Sequence, residues 1–306
     1  MRGRIGLMRL AFAGAALAAL ASGCGRGPGA PAPGGKLRVA ASIFPLADLM
    51  ARVGGGEVEV VTLLPAGTSP HGFEPQPQQV EQLAGCRILL VVGLGVDPWA
   101  EQAAKATGSP IRIVRLADLV GPNTAGAEDG HSHHGEAVDP HLWLDPVRMR
   151  ELLPVLADAL AGLDPAHASG YRARGKAFDG ELAALDATCR ATLAGVKEKA
   201  FVSFHPAFTH LAARYGLRQC ALTASHAQEG GPAALERVVR FVKEQRIKVV
   251  FAEPQFPADR LRWLQEQTGA RVGRLDPLGG PAVKGYDSYL AMMYSNLKAL
   301  AAAMSE

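Results

Sequence analysis

The stretch YRARGKAFDGELAALDATCRATLAGVKEKA (171–200) contains no proline, and its Phe178, Leu182, Leu185 and Leu193 recur at helical spacing on one face. It predicts one long helix in the middle of the chain. On either side of it, short β-branched runs alternate with amphipathic stretches, the pattern of βα units around parallel sheets. Before it, strands are expected at LRVAAS (37–42), VEVVTLL (58–64), RILLVVG (87–93) and IRIVRL (111–116). Helices are expected near Pro45, Pro77 and Pro98 and from Pro146 to Gly162. After it, strands are expected at AFVSF (200–204), RQCALT (218–223), KVVFAE (248–253) and RVGRL (271–275), with helices near Pro206, Gly231 and Pro257 and a last one over Tyr286–Met304. The fold class is therefore α/β, two lobes with parallel-type sheets joined by one rigid helix, with a cleft between them. The expected boundaries are 37–165 for the N-terminal lobe, 166–198 for the connecting helix and 199–306 for the C-terminal lobe. Equal strand counts are the only sign of duplication; no sequence repeat supports it.

The ends and loops carry different signals. Arg2, Arg4 and Arg9 precede an apolar run from Leu10 to Leu20, and small residues lead to Cys24. Residues 1–23 read as an export signal peptide, since the run is far shorter than the roughly 20 residues that span a bilayer. Small residues ending at a cysteine resemble a bacterial lipoprotein cleavage site, so Cys24 is the expected lipidation site. Residues 24–36, rich in Pro and Gly, are then the tether of a membrane anchor. Secretion with an incidental Cys24 is the alternative, and both put the protein outside the cytoplasm, in the periplasm. GPNTAGAEDGHSHHGEA (121–137) is polar, glycine-rich and aperiodic, a surface loop bearing His131, His133 and His134.

Composition narrows the function. The 306 residues are 48% hydrophobic and 20% charged, which excludes a disordered or fibrous chain. The formal charge of +3 comes from the three N-terminal arginines, and without them 29 basic side chains face 29 acidic ones. A near-neutral chain argues against nucleic acid, which needs excess positive charge. Four cysteines with no CxxC do not make a disulfide framework. Cys189 and Cys220 are left open, as a pair or as two thiols, and Cys86 reads as an apolar thiol in a strand.

Four residues stand out among the titratable ones. His71 in SPHGFEP, His141 in DPHLWLDP, His205 in SFHPAF and Asp276 in RLDPLG each lie beside a proline, beyond a strand or in the loop after it. Ligands of open α/β sheets bind at that carboxyl edge. Two of the four come from each lobe, so a cleft would gather them into one metal site.

The motifs SPHGFEP, VVGLGVDPWAE (91–101), DPHLWLDP, FHPAFTHLAARYGL (204–217), FAEPQF (251–256) and TGARVGRLDPLG (268–279) stand in the order seen in a known family. The chain resembles the periplasmic metal-binding proteins of ABC importers, the zinc type in particular, over residues 37–306. The resemblance implies a bilobal fold with one metal ion between the lobes and carries the ligand positions onto His71, His141, His205 and Asp276. It also implies a membrane permease with its ATPase as partner, Zn2+ as the transported ligand, and a monomer. Two departures are SHAQEGGP (225–232), in place of a proline-containing segment, and His210, where an aromatic is usual. His210 is expected to pack within its helix.

Three imidazoles with one carboxylate suit zinc, while manganese prefers oxygen donors and manganese-type relatives carry a carboxylate at the position of His205. Another divalent metal is the alternative cargo. Asp139, Asp145, Glu74 and Glu253 are candidates to orient the ligand histidines. The loop histidines are an expected accessory metal site. A zinc enzyme is the rival class, with Glu253 as a base; the absence of HExxH and GxSxG, and a shell closed by four ligands, argue against it. Adhesion is a third class, without a supporting feature.

Overall fold

Eight strands alternate with helices in the computed structural model, which describes residues 35–120, 139–203, 205–221, 232–254 and 258–305. The expected signal peptide, the tether with Cys24 and the loop histidines His131, His133 and His134 lie outside the described residues. The first half runs β1 (Leu37–Ala41), α1 (Phe44–Gly54), β2 (Val58–Thr62), α2 (Pro77–Gln82), β3 (Ile88–Val91), α3 (Pro98–Ala106), β4 (Arg112–Arg115) and α4 (Leu116–Val120). Then α5 (Pro146–Leu163) and α6 (Ala168–Ala194) lead to β5 (Ala200–Ser203), α7 (Thr209–Arg214), β6 (Arg218–Ala221), α8 (Pro232–Glu244), β7 (Val249–Ala252), α9 (Ala258–Thr268), β8 (Arg271–Arg274) and α10 (Tyr289–Ser305).

All strand pairings are parallel, and the two sheets share one order: β2-β1-β3-β4 and β6-β5-β7-β8. In this order the connections leaving the two central strands run opposite ways, which opens a crevice at their carboxyl ends in each lobe. The topology repeats where the sequence does not.

The long helix forms for the reason its spacing suggests. Tyr171, Gly175, Phe178, Leu182, Leu185, Cys189 and Leu193 of α6 are buried, every third or fourth residue. This helix packs along α5 and touches α1 of the first lobe and α10 at the chain's end. In turn α10 reaches back to α1, where the Tyr289 backbone N–H donates to Asp48 Oδ2 at 2.9 Å, a carboxylate at a helix N-terminus.

The two lobes share one core. A single cluster of buried side chains runs from Leu37 through Trp143, Leu182 and Phe251 to Met304. Alternation along the strands divides the second sheet: Phe201, Val249 and Phe251 enter that core, while Val202 and Val250 join Val242, Ile247, Leu264 and Ala270 in a smaller one. Cys86, Cys189 and Cys220 are free thiols, so the open question of a Cys189–Cys220 pair resolves as two thiols in this structure.

Candidate metal centre

His205 follows β5 by two residues and Glu253 immediately follows β7, so both stand at the crevice between the central strands of the second sheet. His205 Nδ1 lies 2.6 Å from Glu253 Oε1, and both residues are 2% exposed. The corresponding crevice of the first sheet is filled differently. There Ser42 Oγ donates to Asp97 Oδ2 at 2.5 Å, and the Val92 and Gly93 backbone N–H groups donate to the same carboxylate at 2.7 and 2.9 Å.

His71 comes from the loop between β2 and α2, where Trp99 Nε1–H donates to the Pro70 carbonyl at 3.0 Å and the Phe73 ring meets Trp99 edge to face. His141 opens the short turn before α5. Its backbone N–H donates to Asp139 Oδ1 at 3.0 Å, and its Nδ1 lies 2.7 Å from the same oxygen. A carboxylate can only accept, so His141 Nδ1 carries the hydrogen and Nε2 is left as a lone-pair donor. Outer carboxylates on His141 and His205 fix the rings, as they do at metal sites.

The three imidazoles converge. Among the described residues, the ligand-type atoms that all lie within 4.8 Å of one another belong to His71, His141 and His205. His71 Nε2 and His141 Nε2 are 3.1 Å apart. Two nitrogens on a tetrahedral zinc at about 2.0–2.1 Å stand about 3.3 Å apart, so the pair is spaced as such an ion would hold it. A cavity of about 10 Å³, room for one small atom, is lined by these histidines with Ser69, Trp143, Glu253 and Pro277. His141 and His205 are buried and His71 is half-buried.

Asp276 lies beside this group and outside its 4.8 Å limit. It follows β8, and its Oδ1 accepts from the Leu278 and Gly279 backbone N–H groups at 3.0 and 2.9 Å. Buried Asn296 bonds both its N–H and its carbonyl.

Burial sets the protonation of the His205–Glu253 pair. Removal from water pushes the Glu253 carboxyl up to about 8, with the charge of Asp276 adding to the rise. The same burial, with the nearby His141, holds His205 well below the ordinary imidazole range. Burial also pushes Asp139 up, but the hydrogen bond and charge of His141 outweigh it and hold the carboxyl below its usual value. Of the other proposed orienting groups, Asp145 caps α5 through the Val147 N–H and pairs with Arg214, and Glu74 is exposed.

Sequence reasoning missed how the His141 segment is held. Trp143 Nε1–H donates to the Pro277 carbonyl at 2.6 Å, and Tyr289 Oη–H donates to the Trp143 carbonyl at 2.8 Å. His210 does more than pack in its helix: its Nε2 meets the Asp139 carbonyl at 2.9 Å, across the cleft. The one hint was its departure from the expected aromatic.

Comparison with known proteins gives the same picture. The zinc-binding lipoprotein AdcA of Streptococcus pneumoniae is 28% identical over 281 residues, covering 87% of this chain and 55% of that protein. The chain thus spans about half the length of the streptococcal relatives it matches. A crystal structure of ZnuA is 27% identical with a TM-score of 0.76, covering 88% of this chain and all of that one. The SBP FpvC of Pseudomonas aeruginosa in complex with Mn2+ is 25% identical with a TM-score of 0.75, covering 88% of this chain and 98% of that one. Residues 39–303 match the zinc-uptake complex component A periplasmic family, and with that span, the two parallel-sheet lobes and the histidine cluster between them, the chain belongs to the ZnuA family.

Proposed function

We propose that the chain captures Zn2+ outside the cytoplasm and delivers it to the membrane permease of an ABC importer with its ATPase. The observation that carries this reading is the convergence of three imidazole nitrogens between the lobes, in a cavity the size of one ion. In this reading His71, His141 and His205 hold the metal and Asp276 completes the shell. Four protein donors leave no open position for a reacting water, so the site stores an ion rather than activating one. The family is a transport component by description, which agrees with a carrier that is not an enzyme. The chain works as a monomer, tethered through lipid on Cys24, and no helix among the described residues is long and apolar enough to cross a membrane. The test is metal analysis of protein purified without chelator, followed by competition among zinc, manganese and copper. Zinc retained against excess manganese supports the reading; manganese retained against zinc makes the chain a manganese carrier instead.

Binding is expected to release a proton. Below about pH 8 the metal-free Glu253 carboxyl is protonated. Zinc needs the His205 Nε2 lone pair, which places the ring hydrogen on Nδ1 and leaves Glu253 as the carboxylate that accepts it. About one proton then leaves this pair per zinc at pH 7. Affinity therefore rises with pH up to about 8 and falls as pH drops, because protons compete for the metal-free state. Calorimetric titration in buffers of different ionisation enthalpy measures the count. In Glu253→Gln the contribution of this pair is expected to vanish.

The loop histidines His131, His133 and His134 form a weaker accessory site in this reading. Deleting residues 121–137 is expected to leave the tight site intact and to remove only additional, weaker zinc in calorimetry. Loss of the tight site with the loop would reject the accessory role.

A further inference from the structure

The segment from Asp139 to Asp145 is gripped at both ends by α7. At one end His210 Nε2 lies 2.9 Å from the Asp139 carbonyl; a carbonyl only accepts, so this nitrogen carries the hydrogen. At the other end Arg214, one turn further along the helix, donates to both carboxylate oxygens of Asp145, through Nε at 3.1 and 3.0 Å and through Nη2 to Oδ2 at 2.6 Å. Between these points sits His141, with ring and backbone both tied to Asp139. His210 and Asp145 are buried, where a hydrogen bond is costly to leave unmade. The same helix starts four residues after His205. One short element therefore sets two ligands that lie far apart in sequence.

We infer that α7 is the positioning element of the metal centre: His210 through Asp139, and Arg214 through Asp145, fix His141 against His205 before metal arrives. This rests on the proposed metal-binding role of the histidine cluster. His210 and Arg214 are positioning residues and touch no metal. With the His141–His205 pair preset, zinc does not have to order that segment, and affinity gains by the cost avoided.

The experiment is a double-mutant cycle between His210 and His141. Zinc affinity and release rate are measured by chelator competition in wild type, His210→Phe, His141→Ala and the double variant, with the visible spectrum of bound Co2+ as a geometry readout. His210→Phe is expected to weaken zinc about tenfold, at the low end of what loss of an outer partner costs, and to speed release. It should also alter the Co2+ bands and lower apo melting by several degrees, since the Asp139 carbonyl loses its buried donor. His210→Gln, which keeps a side-chain N–H, is expected to recover most of the affinity. Arg214→Lys, which keeps the charge and loses the fork, gives a second reading should His210→Phe fold poorly, and several-fold weaker binding is expected. The decisive value is the cost of His210→Phe in the His141→Ala background, expected near zero because the effect passes through His141. An undiminished cost there, or wild-type affinity and Co2+ spectrum in both His210→Phe and Arg214→Lys, overturns the inference. Unchanged zinc binding in His141→Ala overturns the metal-site reading itself, and the inference with it.

Discussion

His205→Ala is expected to weaken zinc binding about 1,000-fold, more than the roughly 10–100-fold that loss of an outer partner costs. The substitution removes one of the three donor nitrogens that converge there, and the alanine side chain supplies no donor in its place. It also strands Glu253, whose Oε1 is held by the His205 ring. A buried carboxylate without its partner stays protonated, so the second negative charge that helps hold Zn2+ is lost as well. Alanine at His71 or His141 is expected to cost a similar amount, and Asp276→Ala less, because a water oxygen can stand in for a carboxylate oxygen. His205→Glu replaces imidazole by a harder donor and should shift preference from zinc toward manganese. Chelator competition measures each constant. Wild-type affinity in His205→Ala would remove this residue from the shell.

Zinc is also expected to raise the melting midpoint by about 10 °C. A ligand that binds only the folded state at a thousandfold over its Kd stabilises it by about 4.1 kcal/mol. In a chain of this size each kcal/mol is worth about 2–4 °C. The rise should shrink to about 1 °C in His205→Ala at the same zinc concentration, where zinc only equals the weakened Kd. One transition is expected, not two, because a single cluster of buried apolar side chains from Leu37 to Met304 joins both sheets. Calorimetric scans with and without zinc check both statements. Two transitions, with only one moved by zinc, would mean that the lobes melt separately and the metal stabilises one of them.

Much of the architecture was readable from local pattern. The eight expected strands all form; six are trimmed by a residue or more at one or both ends, and those expected over 200–204 and 218–223 run to the last described residue before 204 and 222. The central helix begins at Ala168, three residues before the quoted stretch, and stops at Ala194, because Lys199 and Ala200 are drawn into pairing with Arg218 at the edge of the second sheet. The helix expected near Pro206 starts only at Thr209. The short α4 went unnoticed, since five residues carry too little periodicity to register.

The sequence by itself determined the βα alternation and the long helix and marked the three histidines, each beside a proline past a strand, because each of these signals depends on residue types within a few positions of one another. Only the tertiary structure decided which carboxylate serves which ring. Asp139 and Asp145 flank His141 in sequence, each before a proline, yet Asp139 bonds its imidazole while Asp145 caps α5 and takes Arg214. Glu253 finds His205 across 48 residues because β5 and β7 are neighbours in the sheet, an order set by long-range pairing. His210 reaches Asp139 across 71 positions for the same kind of reason. Short-range spacing specifies an element and the face it buries; the partner of a buried polar group is chosen by whichever distant segment the packed core brings within 3 Å.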